Sequence, residues 1–254
     1  MTEHLAPLRS MAYPGRVIII GAGPGAGQVM ILYAITGRSP SSQARRLRLE
    51  GRSIWTEPVD EETLRQGNPE LLVYRAMAFE SGVAVSNGRQ TEDIVAALRS
   101  RGGDADPLPM LAEALLGWKY EPDAPHFTPR ISGCVQGGGR AGLSLIRRGG
   151  TGGADRAVFS WELEPGRGKF IATYQGLEDN PLPSFSGTPR DVEMPWNTAR
   201  AMAEAVFEAM APVGPGKDYR VSVACLRADT GDLSNAEVHI INHRERNGRN
   251  GKNG

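Results

Sequence analysis

Between Pro122 and Pro129 the chain places three prolines in eight residues. Each one removes an amide donor and fixes φ, so this segment can be neither a helix nor a central strand. The surrounding stretch, Tyr120–Gly133, also carries Tyr120, Glu121, Asp123, His126 and Arg130. Rigid, irregular backbone dense in ionisable groups has two ordinary uses. It is a solvated surface loop, or it is the wall of a site. Either way the regular elements must fold around it.

Those elements are mostly strands. Arg16–Gly21, Gln28–Thr36, Gly82–Ser86, Ile131–Gln136, Gly142–Arg147, Arg156–Leu163, Lys169–Tyr174, Arg220–Ala228 and Ala236–Ile241 are β-rich runs. Gly137–Gly139 and Gly149–Gly153 punctuate them as hairpin loops. Helical patterns cover Thr91–Ser100, Pro109–Leu116 and Asn197–Met210, with Pro69–Ala78 as a fourth. Hairpin-linked strands with helices in separate blocks predict an α+β fold of antiparallel sheets, not an alternating βαβ one.

Lys and Arg number 29 and Asp and Glu 29, so no global field favours nucleic acid or an anionic membrane. No apolar run approaches the ~20 residues of a membrane span. Met1–Ala12 lacks the basic and apolar regions of a signal peptide. Cys134 and Cys225 sit in strand-like surroundings with no metal spacing and read as buried thiols of a reducing compartment. A soluble cytoplasmic protein is the expectation. Residues 1–12 read as a flexible leader, 13–241 as a single domain and 242–254 as a disordered polar tail.

Gly21-Ala22-Gly23-Pro24-Gly25-Ala26 comes after an apolar strand and matches a dinucleotide-binding fingerprint. That mechanism needs a helix next and an acidic residue ~20 positions on. Instead the chain runs into the strand-like stretch Gln28–Thr36 and then Arg38, Arg45, Arg46 and Arg48. Gly21–Gly27 therefore reads as a hairpin turn.

Better chemistry lies elsewhere. Gly37-Arg38-Ser39-Pro40-Ser41-Ser42 through Arg46 joins hydroxyls to guanidinium forks, which suit a phosphate monoester and also an ordinary basic loop. Asn68–Arg75 carries Tyr74 and Arg75 on a helix-like segment, and Ser86-Asn87-Gly88 ends a strand before a helix N-terminus. Of the histidines only His126 is near other candidates, and neither a zinc spacing nor a G-x-S-x-G elbow is present.

These segments together resemble the archaeal-type IMP cyclohydrolase family. The likeness runs through Tyr13-Pro14-Gly15-Arg16, Gly37-Arg38-Ser39, Asn68-Pro69, Ser86-Asn87-Gly88 and Glu121-Pro122-Asp123-Ala124-Pro125. It continues in Thr128-Pro129-Arg130-Ile131-Ser132-Gly133, Thr173-Tyr174 and Asn180-Pro181-Leu182-Pro183-Ser184-Phe185. The resemblance implies an N-terminal-nucleophile-hydrolase-like fold of four αββα layers that does not use an N-terminal nucleophile. It implies dehydrative closure of 5-formamidoimidazole-4-carboxamide ribotide (FAICAR) to IMP, with neither a metal nor an organic cofactor. By the same similarity Glu121 is the general acid or base, and Tyr74 and Arg45 face the reacting groups. Arg38, with Ser39 beside it, holds phosphate, and Asn87, Arg75 and Arg130 complete the substrate contacts. The partner is a small-molecule nucleotide, without nucleic acid or membrane; enzymes of this size are often symmetric homo-oligomers.

Three positions depart from the family pattern: Ala44 and Arg75 stand where it usually has Asn, and Glu92 where it has Asp. In a pocket that pairs with polar ligand atoms such changes are worth several kcal/mol of selectivity. If they line the pocket, the alternative is a paralogue closing the ring of another purine-like nucleotide in specialised metabolism. A non-catalytic nucleotide-binding protein and an amide hydrolase of the same fold are further alternatives.

Overall fold

The computed structural model describes residues 3–102, 105–212 and 214–245. In chain order its strands are β1 (Arg16–Gly21), β2 (Gln28–Thr36), β3 (Arg45–Glu50), β4 (Ser53–Pro58), β5 (Arg75–Phe79), β6 (Val83–Ser86) and β7 (Arg130–Val135). They continue as β8 (Arg140–Arg148), β9 (Ala154–Glu162), β10 (Arg167–Ala172), β11 (Arg190–Glu193), β12 (Arg220–Asp229) and β13 (Asp232–Asn242). The helices are α1 (Ala6–Arg9), α2 (Pro40–Gln43), α3 (Glu61–Arg65), α4 (Pro69–Leu72), α5 (Thr91–Arg101), α6 (Pro107–Ala114) and α7 (Ala199–Ala209).

Two antiparallel sheets result, as the hairpin pattern predicts. The first has the order β11-β10-β1-β2-β12-β13, and the second follows the chain from β3 to β9. β1 and β2 pair across the glycine-rich turn, Ile20 opposite Ile31, which confirms a hairpin in place of a dinucleotide fingerprint. Strand alternation then sorts the second sheet's side chains. Met77, Val83, Val85, Ile131, Val135, Leu143 and Leu145 join the core shared with the first sheet. Ala78, Ala84, Cys134 and Ile146 face the other way, onto Ile94, Leu98, Met110 and Leu111 of α5 and α6. The first sheet is covered by α7, whose Met202, Val206 and Phe207 are buried in the shared core. β1 has no exposed residue because both of its faces are covered. A Cβ at Gly133 would stand 2.6 Å from Ile20 Cδ1, so glycine lets β7 lie this close to β1.

Four features differ from the sequence expectations. Pro69–Ala78 is not one helix: a single turn ends at Leu72, and the chain continues as β5. β3 and β4 form a hairpin that the sequence left unassigned, starting within the expected basic loop that ends at Arg46; Arg46 and Arg48 both pair with Glu57, so cross-strand charge replaces apolar alternation. The segment expected as a flexible leader packs instead, with Leu5 and Leu8 buried in the shared core and His4 paired with Glu193 of β11. The expected tail begins as structure too. Asn242 Oδ1 accepts from Leu47 N at 2.9 Å while its Nδ2 donates to Leu47 O at 3.1 Å, linking β13 to β3. Residues 1–2 and 246–254 of those two segments lie outside the described residues. Cys134 and Cys225 are free, buried thiols, as expected.

Replacing Leu8 tests the packing of the N-terminal helix. Leu8→Ala should cost about 2–5 kcal/mol in urea unfolding, the range for a buried leucine. A change below about 0.5 kcal/mol would mean that this helix only rests on the surface.

Candidate active site

Antiparallel order brings the beginnings of β1, β3, β5 and β7 and the ends of β2, β6 and β10 to one end of the two sheets. Each polar residue there is set by its place on a strand. Gly15, at φ +76°, turns the chain into β1 beneath Thr173 and Tyr174, where any Cβ would collide. Arg16 then opens β1, its amide donating to Thr173 Oγ1 at 3.1 Å. Tyr33 of β2 and Tyr74, just before β5, meet across the sheets with hydroxyls 2.5 Å apart. At Gly37 the chain folds tightly against Ser42 and presents Ser39 as the N-cap of α2, its Oγ accepting from Ser42 N at 3.1 Å.

The proline-dense segment closes this end. Glu121 N donates to Thr128 O at 2.9 Å, and Asp123 Oδ1 accepts from Thr128 N at 2.6 Å while its Oδ2 accepts from Thr128 Oγ1. Thr128 Oγ1 is also 2.5 Å from Tyr174 Oη. The loop is therefore held by its own hydrogen bonds, and it lines a cavity of about 270 Å³. Arg16, Arg38, Ser39, Glu121, Asp123 and His126 are on the cavity wall, with Tyr13, Tyr174, Leu71 and Leu182 supplying apolar surface.

Glu121 is 3 % exposed. Burial raises its pKa to about 7 against the pull of Arg16 and Arg130. Asn87 Nδ2, 3.4 Å away, is its nearer polar partner, and Arg130 Nη1 lies at 3.8 Å. Behind the wall is Arg45, 2 % exposed, whose Nε donates to Ser42 O at 3.0 Å. Both Arg45 Nη groups are buried without a partner among the described residues, as is Arg16 Nε. Burial and then the neighbouring Arg16 bring the Arg45 pKa down to about 10. Two adjacent buried guanidinium groups short of acceptors make an environment that favours an incoming negative charge.

The structure separates the residues singled out in the sequence. Glu121, Arg38 and Ser39 are on the cavity wall. Arg45 and Tyr74 are not on the wall itself but are buried beside Arg16, with which both interact electrostatically. Asn87 is fully buried and ties the loop to β7, donating to Pro129 O at 2.9 Å and accepting from Ile131 N at 2.8 Å. Arg130 donates to Lys119 O and Gln90 Oε1 and stacks over Trp118. Both support Glu121 without lining the cavity. Arg75 is turned away from it: its guanidinium pairs with Glu92 and lies over Trp55. Glu92 is thus the partner of Arg75, and Ala44 is a buried helix-end residue off the wall. Sequence reading passed over Arg16 and Tyr33. The signal for Arg16 was present, an arginine opening the otherwise apolar run Val17–Ile20; Tyr33 gave none, because an aromatic residue is ordinary in a strand.

Among the described residues no group of three or more His, Cys, Asp or Glu side chains is arranged to hold a metal ion. In this α+β fold a carboxyl whose pKa is raised to about 7 stands at the edge of a cavity lined by guanidinium groups, an arrangement chemically suited to proton transfer on a small anionic ligand. The chain belongs to the family of IMP cyclohydrolase-like proteins, whose profile matches residues 13–230. It is similar to the IMP cyclohydrolase of Thermococcus kodakarensis, at 29% identity over 202 residues covering 78% of this chain and 86% of that protein.

The Glu121 environment has a measurable consequence for stability. Its folded pKa lies above the ~4.3 of a free glutamate, so the native state holds this proton to higher pH than the unfolded chain. The cost of ionising it in the folded state is absent below about pH 4, grows between about 4 and 7, and is complete above, at about 4 kcal/mol. The stability of Glu121→Gln relative to wild type should therefore rise across that window in urea unfolding. A flat difference would mean that Glu121 ionises like an exposed carboxyl.

Proposed function

We propose that this protein is an IMP cyclohydrolase that closes FAICAR to IMP, with residues 13–241 as a single functional domain. Family membership over residues 13–230 is the observation that carries this reading. Further support comes from a buried carboxyl on the wall of a cavity rich in guanidinium groups. The fold proposed is the N-terminal-nucleophile-hydrolase-like αββα sandwich; α7 on one sheet and α5 and α6 on the other are consistent with it. A cytoplasmic setting accords with a biosynthetic nucleotide substrate.

In the reaction the carboxamide nitrogen attacks the formyl carbon, forming the C–N bond of the new ring. The formyl oxygen gains the proton given up by that nitrogen, and the resulting carbinolamine then loses the oxygen as water together with the proton of the former formamide nitrogen, leaving a C=N bond in the ring. An amide nitrogen is a poor nucleophile, so near-attack geometry and proton transfer must supply most of the acceleration. Glu121, with a pKa near 7, is suited to both halves. As carboxylate it takes a proton from the nitrogen; as acid it returns one to the departing hydroxyl. Arg16 offers N–H groups to the oxygen where negative charge develops, with Arg45 adding positive charge beside it. When the Tyr33 hydroxyl donates to Tyr74, the Tyr74 proton is left free for an acceptor. Arg38 and Ser39 bind phosphate at the mouth. Asn87 and Arg130 hold Glu121 in position.

The departures at Ala44, Arg75 and Glu92 give no reason to choose another substrate. Arg75 and Glu92 satisfy each other, and none of the three is on the cavity wall.

Glu121→Gln should lower kcat for purine formation by about 10²–10⁴-fold with little effect on KM, followed by ultraviolet absorbance. Unchanged turnover would remove Glu121 from proton transfer. In the same assay Arg38→Ala should chiefly raise KM, and Arg75→Ala should leave both constants within about twofold. No conversion by folded wild-type protein would overturn the cyclohydrolase reading.

A further inference from the structure

His126 is the wall residue whose chemistry the reaction leaves unused. It sits on the proline-dense loop, half-buried, with its amide donating to Asp123 O at 3.0 Å. Its Nδ1 accepts a hydrogen bond from Leu182 N at 3.1 Å. A backbone N–H can only donate, so the lone pair must be on Nδ1 and the proton of the neutral ring on Nε2. Nε2 lies 3.2 Å from Arg38 Nη2, which is also only a donor. Two donors therefore face each other at hydrogen-bond range with no acceptor between them.

The neighbouring acceptors are already engaged. Both carboxylate oxygens of Asp123 are taken by Thr128. The Ser42 hydroxyl donates to Ser39 O at 2.9 Å, and the Ser39 and Ser41 hydroxyls pair at 3.1 Å. Arg38 stands over the Tyr13 ring and has no carboxylate partner among the described residues. A cation and a neutral N–H converging on the mouth of a cavity call for a compact anion with several oxygens, able to accept from both at once.

We propose that His126, as the neutral Nε2–H tautomer, is a phosphate-contacting residue that joins Arg38 in holding the 5′-phosphate of the nucleotide. Burial, and then the nearby Arg38, hold the His126 pKa below the usual range against the pull of Asp123, so the ring is neutral at the pH where Glu121 works. Protonation at Nδ1 would set a second hydrogen against the Leu182 amide, in the same direction. Leu182 belongs to the segment between β10 and β11, so that segment selects the tautomer. This inference rests on the nucleotide reading of the cavity.

Calorimetric binding of IMP and inosine to wild type, His126→Ala and His126→Gln tests it. His126→Ala should weaken IMP binding by about tenfold or more while inosine changes by less than about twofold. His126→Gln, whose amide can donate in place of Nε2–H, should recover part of that loss. Turnover should show the deficit in KM and not in kcat. ¹⁵N-edited NMR of wild-type protein should show a proton on Nε2 of His126 that shifts as inorganic phosphate is added. Equal losses for IMP and inosine, unaltered IMP binding, or a proton on Nδ1 would each overturn the assignment. The NMR titration uses wild type and phosphate alone, so it decides the matter even if a variant fails to fold. If wild type shows the phosphate response but binds no IMP, the nucleotide reading fails while the anion site stands.

Discussion

Glu121 is kept out of water beside guanidinium groups that are themselves short of acceptors. In water the carboxyl would ionise well below neutrality and the arginines would be hydrated. Enclosed together, each is held in a state useful for chemistry: a carboxyl that gains and loses its proton near pH 7, and positive charge awaiting an oxygen. This arrangement costs folding free energy, and the large apolar core between the sheets offsets that cost. The strands that enclose the cavity are also the ones that build this core, so the core and the candidate site share the same scaffold.

Support for the carboxyl comes from three directions. The loop bearing it is fastened by Asp123 and Thr128, Asn87 bridges that loop to β7, and Arg130 is locked over Trp118 by Gln90 and Lys119. On the opposite side the Tyr33–Tyr74 contact joins the two sheets by a hydrogen bond within an apolar core. Such a bond is worth little net, but its loss would strand a buried hydroxyl, so it helps fix the relative position of the sheets beside the cavity.

Much of this was legible in the residues. Turn chemistry and alternation in Arg16–Thr36 and Ile131–Leu163 marked antiparallel hairpins, because both faces of those strands are decided locally by apolar content. The prolines after Glu121 marked a rigid wall. What was hidden depends on contacts distant in sequence. β3 and β4 are held by Arg46, Arg48 and Glu57 pairs that look like a solvated basic stretch until they are placed side by side. The family resemblance put Arg75, directly after Tyr74, among the substrate contacts. Strand alternation sends adjacent side chains to opposite faces, and Glu92, seventeen positions on, is its partner. Nothing local marks Leu5 and Leu8 as anchors, since the core that receives them is built from strands distant along the chain.

The two sheets are unequal in how they can be assembled. The second follows the order of synthesis, so every strand finds its neighbour soon after it is made. The first joins strands far apart in sequence: β2 must wait for β12, which begins at Arg220, before its second edge is covered. Until then β1 and β2, apolar on both faces, are the most aggregation-prone part of the nascent polypeptide. Arg16 and Tyr33 lie on those two strands, so the cavity end takes shape only after β12 has been made. The candidate site is thus withheld until Arg220–Asp229 has been made.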